Sequence, residues 1–137
     1  MVINTSAELK NLDNVIDEVR VFLTVAGASE DVTGRMEIVV EELFANVCSY
    51  SYKDGKGDVT VECSLDENKK DICLRMIDEG IPFDPFAADS VDVDEKAEDD
   101  SVGGLGIYMV KHIVDETEYE RAGNKNIVQV RKKLAKK

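Results

Sequence analysis

The chain has 137 residues, with 29 acidic and 17 basic side chains and a net charge of −12. This length is typical of one domain, and so negative a chain argues against nucleic acid as a partner, because phosphate binding requires a basic face. The single histidine and three unpaired cysteines argue against zinc sites, disulfide frameworks and most catalytic triads.

The N-terminal region is predicted to form a short strand and then a helix. Val2 to Asn4 are interpreted as an edge strand, and apolar residues at helical spacing predict a helix over residues 5–26. Thr5 and Glu8 have the spacing of a capping box, although the helix could equally begin nearer Leu9.

A second helix is predicted to follow at once. Gly27 is expected to end the first helix, and Ser29 has the chemistry of an N-cap for a helix that runs to about Tyr50.

Two strands are predicted next, in the segments VTVECSL and DICLRMID. Alternation places Cys63 on the apolar face of its strand and Cys73 on the opposite face of the next, beside Arg75. Side chains that point to opposite faces cannot be bridged, so no Cys63–Cys73 disulfide is expected.

The last third of the chain begins with an acidic segment and ends in a predicted hairpin. A helix is expected to follow Gly103–Gly106 and to run to about Val114, and strands are expected at 117–121 and 127–134. The order of elements predicts an α/β two-layer sandwich, with a mixed or antiparallel sheet and helices on one face.

Glu42 and Asn46 lie four residues apart on the second helix, and therefore on one of its faces. An amide oxygen can ligate Mg²⁺, and a nearby carboxylate can take a proton from a hydroxyl group. The alternative is a hydrated helix edge without a ligand. Glu41 points elsewhere and is predicted to be a solvent charge.

Asp78 ends a predicted strand and is followed by Glu79 and Gly80. A carboxylate in a pocket accepts a hydrogen bond from the exocyclic amino group of adenine, whereas guanine presents a carbonyl there. Gly80 would permit a close backbone approach to a flat base. An ordinary strand-to-loop turn is the alternative.

Three glycines, Gly103, Gly104 and Gly106, precede the amphipathic segment IYMVKHIV. Glycines before a helix allow backbone N–H groups to converge on phosphate oxygens. The alternative is a flexible hinge into the helix.

In combination, these motifs resemble those of a known superfamily over about residues 5–134. Glu42 to Asn46, DEGIPFDP from Asp78 and GGLG from Gly103 are similar to the N, G1 and G2 boxes of the GHKL ATPases. Within that superfamily they most resemble the small anti-sigma-factor serine kinases.

The resemblance implies a Bergerat ATP-binding fold with ATP and Mg²⁺ as cofactors. It implies that Glu42 is the catalytic base, that Asn46 ligates the metal and that Asp78 reads adenine. The positions implied to bind the cofactor are Asn46, Asp78, Gly80, Pro82, Gly103, Gly104, Leu105 and Gly106.

The resemblance also implies a protein-serine kinase that phosphorylates a small antagonist protein and sequesters a sigma factor. The alternatives are a nucleotide-gated partner-binding module with little phosphotransfer and a simple ATPase, and homodimerisation is a further option. We expect one domain over residues 1–137, with a mobile acidic ATP lid at about 86–102. No apolar run has membrane-spanning length and no secretory signal is seen, so a cytoplasmic protein without a membrane partner is predicted.

Overall fold

The computed structural model describes residues 1–52, 56–87 and 104–134. Within them, an antiparallel sheet of order β1-β2-β3-β5-β4 is formed by β1 (Val2–Ser6), β2 (Asp58–Leu65), β3 (Asp71–Asp78), β4 (Glu116–Ala122) and β5 (Lys125–Lys133). The helices are α1 (Leu12–Ala26), α2 (Glu30–Asn46) and α3 (Gly104–Ile113). A 3-10 turn, Leu9–Asn11, precedes α1, and a π-helical turn, Val47–Ser51, follows α2.

The core lies between one face of the sheet and the helices, which confirms the predicted two-layer α/β sandwich. Alternate residues of β2, β3 and β5 are buried, and so are the inward residues of α1 and α2. The largest fully buried side chains include Leu23, Met36, Phe44, Ile72, Leu74 and Met76. Each contributes roughly 1.5–3 kcal/mol of hydrophobic free energy.

The start of the first helix differs from the prediction. Residues 2–6 form the edge strand β1, in which Thr5 pairs with Val59 of β2, and α1 begins only at Leu12. Thr5 and Glu8 do not form a capping box, because the backbone of Thr5 is committed to the sheet. Instead, the Asn11 side-chain amide donates to the Ser6 carbonyl (3.1 Å) and holds the turn into the helix.

The C-terminal end of α2 and the start of α3 also differ from the prediction. Ser29 caps α2 as predicted, and its hydroxyl accepts a hydrogen bond from Val32 N (3.1 Å). The α-helical part ends at Asn46, not Tyr50, because the chain widens into the π-helical turn. The third helix begins at Gly104, so Gly104 and Gly106 lie within its first turn and not before it.

Several predicted features fall outside the described residues. These are Gly103 and, apart from Phe86 and Ala87, the acidic segment predicted as the lid at 86–102. The cysteines all lie in the described ranges, and all three are free. In the described part of the chain, no helix is both long and apolar enough to cross a membrane.

Candidate functional site

The C-terminal half of α2 places Glu42 and Asn46 at one end of the sheet. Asn46 is buried, with 6% of its surface exposed, whereas Glu42 is half-buried and Glu41 is exposed. The prediction of a solvent-facing Glu41 is therefore confirmed. Asn46 is not on a hydrated helix edge, because it lies against the core beside Asp78.

Glu42 is in an environment that favours its protonated form. Partial burial, and secondly the charge of neighbouring Glu41, raise the pKa of the Glu42 carboxyl above its ordinary value. A carboxylate whose pKa is moved toward neutrality is a stronger base when it is ionised.

The side-chain amide of Asn46 has an unsatisfied hydrogen-bonding group. Its Nδ2 atom is buried and has no hydrogen-bond acceptor among the described residues. Such an unpaired buried donor costs about 1–3 kcal/mol, so a ligand that supplies an acceptor would gain affinity here.

Asp78 is the last residue of β3 and faces the core side of the sheet, with only 2% of its surface exposed. Its Oδ1 atom accepts hydrogen bonds from Gly80 N (2.9 Å) and from Asn126 Nδ2 (2.9 Å). Its Oδ2 atom accepts one from the Ser51 hydroxyl (3.2 Å). The carboxylate is thus held rigidly, and Oδ2 keeps capacity for a further donor.

Asn126, which sequence reasoning missed, is the centre of this hydrogen-bond network. Its Nδ2 atom also donates to the Ile81 carbonyl (2.8 Å), and its Oδ1 atom accepts from Phe83 N (3.2 Å) and the Tyr119 hydroxyl. Asn126 is 1% exposed and pairs with Asp78 across β5 and β3. Strand alternation could have revealed its burial. Asn126 lies on the same face of its strand as Val128 and Val130, which are buried.

The loop after Asp78 is fixed by close backbone packing. A Cβ atom at Gly80 would overlap the carbonyl of Ser51, so only glycine fits at this position. Ile81 N donates to the same carbonyl (3.0 Å), and Glu79 N donates to the Tyr52 hydroxyl (2.7 Å). The turn after α2 and the loop after β3 are therefore held as one unit.

The first turn of α3 lies directly against Glu42. A Cβ atom at Gly106 would overlap the Glu42 carboxylate, so the backbone of Gly106 packs on that side chain. The first backbone N–H groups of a helix have no partner within the helix and favour anions. The structure thus brings Gly106 and Glu42 together, as the predicted site requires.

The structure shows fewer contacts between the other predicted positions and the group formed by Glu42, Asn46 and Asp78. Gly104 and Leu105 begin α3, Gly103 lies outside the described residues, and Pro82 is exposed and does not line the cavity beside Asp78. His112, the single histidine of the chain, is exposed on α3 and contacts Tyr108 edge to face.

The cavity between Asn46 and Asp78 is nearly closed, with a volume of about 10 Å³. Phe83 and Pro85 line it, and the Phe83 ring stacks on that of Tyr50 at a centroid distance of 4.9 Å. This space holds at most about one water molecule. A flat base therefore enters only if Phe83 and Pro85 move away.

The fold and the arrangement of these residues agree with a match to a family model. The model of the histidine kinase-like ATPase domain matches residues 5–132. The chain therefore belongs to this family.

Two relatives share the name serine-protein kinase RsbW. The one from Listeria monocytogenes serovar 1/2a is 30% identical over an alignment of 96 residues, and the match covers 66% of this chain and 60% of that protein. The one from Bacillus cereus strain G9842 is 27% identical over an alignment of 104 residues, and the match covers 69% of this chain and 64% of that protein. The chain thus spans under two thirds of the length of these relatives.

Solved structures agree on the fold. The RsbU and RsbW domains of Rv1364c from Mycobacterium tuberculosis match all of this chain over 33% of theirs, with a TM-score of 0.67 and 15% identity. A chain of the SiaB–SiaC complex from Pseudomonas aeruginosa matches 97% of this chain over 89% of its own, with a TM-score of 0.63 and 14% identity.

Proposed function

We propose that this protein is an ATP- and Mg²⁺-dependent protein-serine kinase of the anti-sigma-factor type. In this proposal it phosphorylates a serine of a small antagonist protein and sequesters a sigma factor. The described residues act as one ATP-binding domain, and the segment at 86–102 acts as its lid. The family match, the relatives named serine-protein kinase and the geometry around α2 support this proposal.

The observation that carries the proposal is the surroundings of Glu42. This half-buried carboxylate has a raised pKa, lies one helical turn before an unsatisfied buried amide on Asn46 and packs against Gly106. A hydrated helix edge would explain neither the unsatisfied amide nor the glycine contact. A base next to a phosphate-binding helix terminus explains both.

The residues present fit Mg-ATP by their chemistry. Asn46 would ligate the metal through its amide oxygen, and no cluster of three or more acidic, histidine or cysteine ligands occurs among the described residues. A sparse ligand set suits Mg²⁺, which keeps several waters and binds substrate phosphates. The unpaired Asn46 Nδ2 would donate to an oxygen of the ligand.

The remaining roles follow from position. Asp78 Oδ2 would accept from the amino group of adenine, and Gly104, Leu105 and Gly106 would bind phosphates through backbone N–H groups at the start of α3. Bound Mg-ATP would supply the transferable phosphoryl group. Glu42 would accept the proton of the partner's serine hydroxyl, which leaves the serine oxygen as the nucleophile.

The closed cavity favours a second candidate, a nucleotide-gated partner-binding module with little phosphotransfer. Because the cavity that Phe83 and Pro85 line beside Asp78 has a volume of only about 10 Å³, nucleotide entry would require the loop after β3 to open. Such an opening could be the signal that a partner reads. A simple ATPase, which needs neither an antagonist protein nor a sigma factor, is the third candidate.

The test is phosphotransfer in the presence of candidate antagonist domains. The protein is incubated with Mg-ATP, and phosphoserine on the domain is quantified by mass spectrometry. Glu42→Gln should keep nucleotide affinity within a few-fold and lower phosphotransfer by about 10²–10⁴. Glu41→Gln is the matched control, because Glu41 is exposed and should retain most of the activity.

Calorimetry separates the candidates further. The kinase proposal predicts Mg-dependent ATP binding that exceeds GTP binding, weaker ATP binding in Asp78→Asn and loss of Mg-ATP binding in Asn46→Ala. Equal affinity for ATP and GTP would overturn the role of Asp78. ATP binding without phosphoserine, and with no effect of Glu42→Gln on partner binding, would favour the gated module.

A further inference from the structure

A groove lies at the end of the sheet opposite the candidate nucleotide site. Its larger cavity, of about 730 Å³, lies between the start of α2, the β2–β3 turn, the end of α3 and the end of β5. Asp71 at this end and Asp78 at the other are the first and last residues of β3. They are therefore about 24 Å apart, at roughly 3.4 Å per residue.

The lining of this cavity is basic, although the chain as a whole has a net charge of −12. Five cationic side chains face three carboxylates. Lys69, Lys70 and Lys133 have no carboxylate within 4.0 Å anywhere in the described ranges, since none is among the ion pairs found there. The full charged lining is Arg35, Lys69, Lys70, Lys132, Lys133, Asp31, Asp71 and Asp115.

An apolar surface continues this cavity along the outer side of α2 and α3. A second cavity of about 600 Å³ shares Asp31, Arg35, His112 and Ile113 with the first, and Glu30 also lines it. It is lined by three exposed apolar side chains, Ile38 (37% exposed), Tyr108 (42%) and Met109 (45%). We call the two connected cavities the α2–α3 groove.

We propose that the α2–α3 groove docks an acidic, amphipathic segment of a partner protein. A small anion would use the lysines but leave the apolar half of the groove empty. A segment with apolar anchors and carboxylates matches both halves at once. The net charge of −12 repels an acidic segment at long range, so the groove lysines act at short range, where they pair with its carboxylates.

This inference does not rest on the proposed function. Phosphotransfer depends on Glu42, Asn46 and Asp78 at one end of the molecule, whereas the groove lies at the other. A variant of the groove can therefore lose the partner segment while nucleotide binding is retained. The two proposals can fail separately.

The test uses a designed probe peptide and fluorescence anisotropy. The probe is a labelled amphipathic peptide of about 14 residues, roughly 21 Å long as a helix, with leucines on one face and glutamates on the other. We expect saturable binding that weakens when salt is raised from about 0.05 to 0.5 M. The double variant Lys70→Glu/Lys133→Glu should lose about tenfold or more in affinity, and Met109→Gln a few-fold.

Matched controls come from elsewhere on the surface. Lys10→Glu with Lys125→Glu makes the same change of charge at exposed sites outside the groove, and Val25→Gln removes an apolar side chain that is 83% exposed on α1. Both controls should leave affinity within about twofold. Thermal unfolding of every variant checks that the fold is intact.

Each alternative outcome overturns the proposal. No binding up to about 1 mM peptide would remove the site, and equal losses in groove and control variants would show general charge attraction. Tripolyphosphate binding without peptide binding would identify an anion site. Self-association in sedimentation that Lys70→Glu/Lys133→Glu abolishes would identify a second copy of this chain as the occupant.

Discussion

Among single residues, Asp78 and Asn126 show what the sequence can and cannot reveal. Asp78 was predicted from its place at a strand end before a glycine, and it is buried at the candidate site. Asn126 was missed because an asparagine after a turn is ordinary in sequence. Its importance comes from pairing with β3, which joins residues 48 positions apart, and only the assembled sheet shows that.

Substitution of Asn126 should destabilise the fold. Asn126→Ala leaves the Ile81 carbonyl, Phe83 N and the Tyr119 hydroxyl without their partner. Because unpaired buried polar groups cost about 1–3 kcal/mol each, we expect a loss of at least about 2 kcal/mol in urea unfolding. The exposed Asn124→Ala is the control and should change stability by under about 0.5 kcal/mol. Similar values for the two variants would contradict the network.

The raised pKa of Glu42 gives stability a defined pH dependence. A carboxyl whose folded pKa exceeds its unfolded pKa contributes stability that is present below the unfolded value and is lost as pH rises through the folded value. Glu42→Gln should therefore gain stability relative to wild type as pH rises above the ordinary glutamate pKa of about 4.3. After discounting for solvent screening, the gain should be under about 1 kcal/mol.

Urea unfolding at several pH values measures this gain. Glu41→Gln serves as the comparison, because removal of that charge lowers the pKa of Glu42 and should reduce the dependence without abolishing it. A difference between Glu42→Gln and wild type that stays constant with pH would show that folding leaves the Glu42 titration unchanged.

Gly106→Ala tests the contact between α3 and Glu42. The new Cβ atom would meet the far end of a flexible side chain, so stability should change by less than about 1 kcal/mol. The Glu42 carboxylate would be displaced, however, and phosphotransfer should fall by about tenfold or more. Gly34→Ala, with no atom within 4 Å of its new Cβ, should stabilise α2 by about 0.5–1 kcal/mol and keep activity. Full activity in Gly106→Ala would remove this contact from the mechanism.

At the scale of elements, the local sequence specified most helices and strands, and the limits of some of them. The bounds of β2 and β3 and the cap of α2 follow from alternation and from Ser29. The strand β1 was only partly predicted, because Thr5 and Ser6 pair with β2 more than 50 residues away. Such distant pairing overrides the local helical pattern.

The π-helical turn after α2 is anchored by Tyr52, and Tyr52→Phe should weaken it. The Tyr52 hydroxyl donates to the Asp58 carbonyl (2.7 Å) and accepts from Glu79 N (2.7 Å). Loss of both bonds should cost about 1–3 kcal/mol in chemical denaturation. Tyr108→Phe, on an exposed ring, should stay within about 0.5 kcal/mol. Equal stability of the two variants would show that the hydroxyl does not anchor the turn.

At the scale of the whole molecule, the net charge of −12 opposes the compact state through self-repulsion. Added salt screens that repulsion, since the Debye length falls from about 30 Å at 0.01 M to about 10 Å at 0.1 M. The thermal midpoint should therefore rise with NaCl over this range. Lys70→Glu/Lys133→Glu changes the charge by two units at each site, from −12 to −16, and should show a steeper rise.

Calorimetric scans at fixed pH measure this effect. The NaCl concentration is kept in this low to moderate range. Screening acts there, whereas specific ion effects appear only at higher salt. A midpoint that is independent of salt in both proteins would mean that the acidic groups are too dispersed to repel one another.

The strand order also governs how the chain reaches its fold. The central strand β3 has one neighbour, β2, close in sequence, and another, β5, whose residues are 48 to 62 positions away. Sheets built on such distant pairs fold slowly, because a large loop must close before the contacts form. The closure entropy grows only logarithmically with loop length, at about 0.6 kcal/mol for each doubling. Lengthening the chain between Ala87 and α3 should therefore cost the sheet little closure entropy.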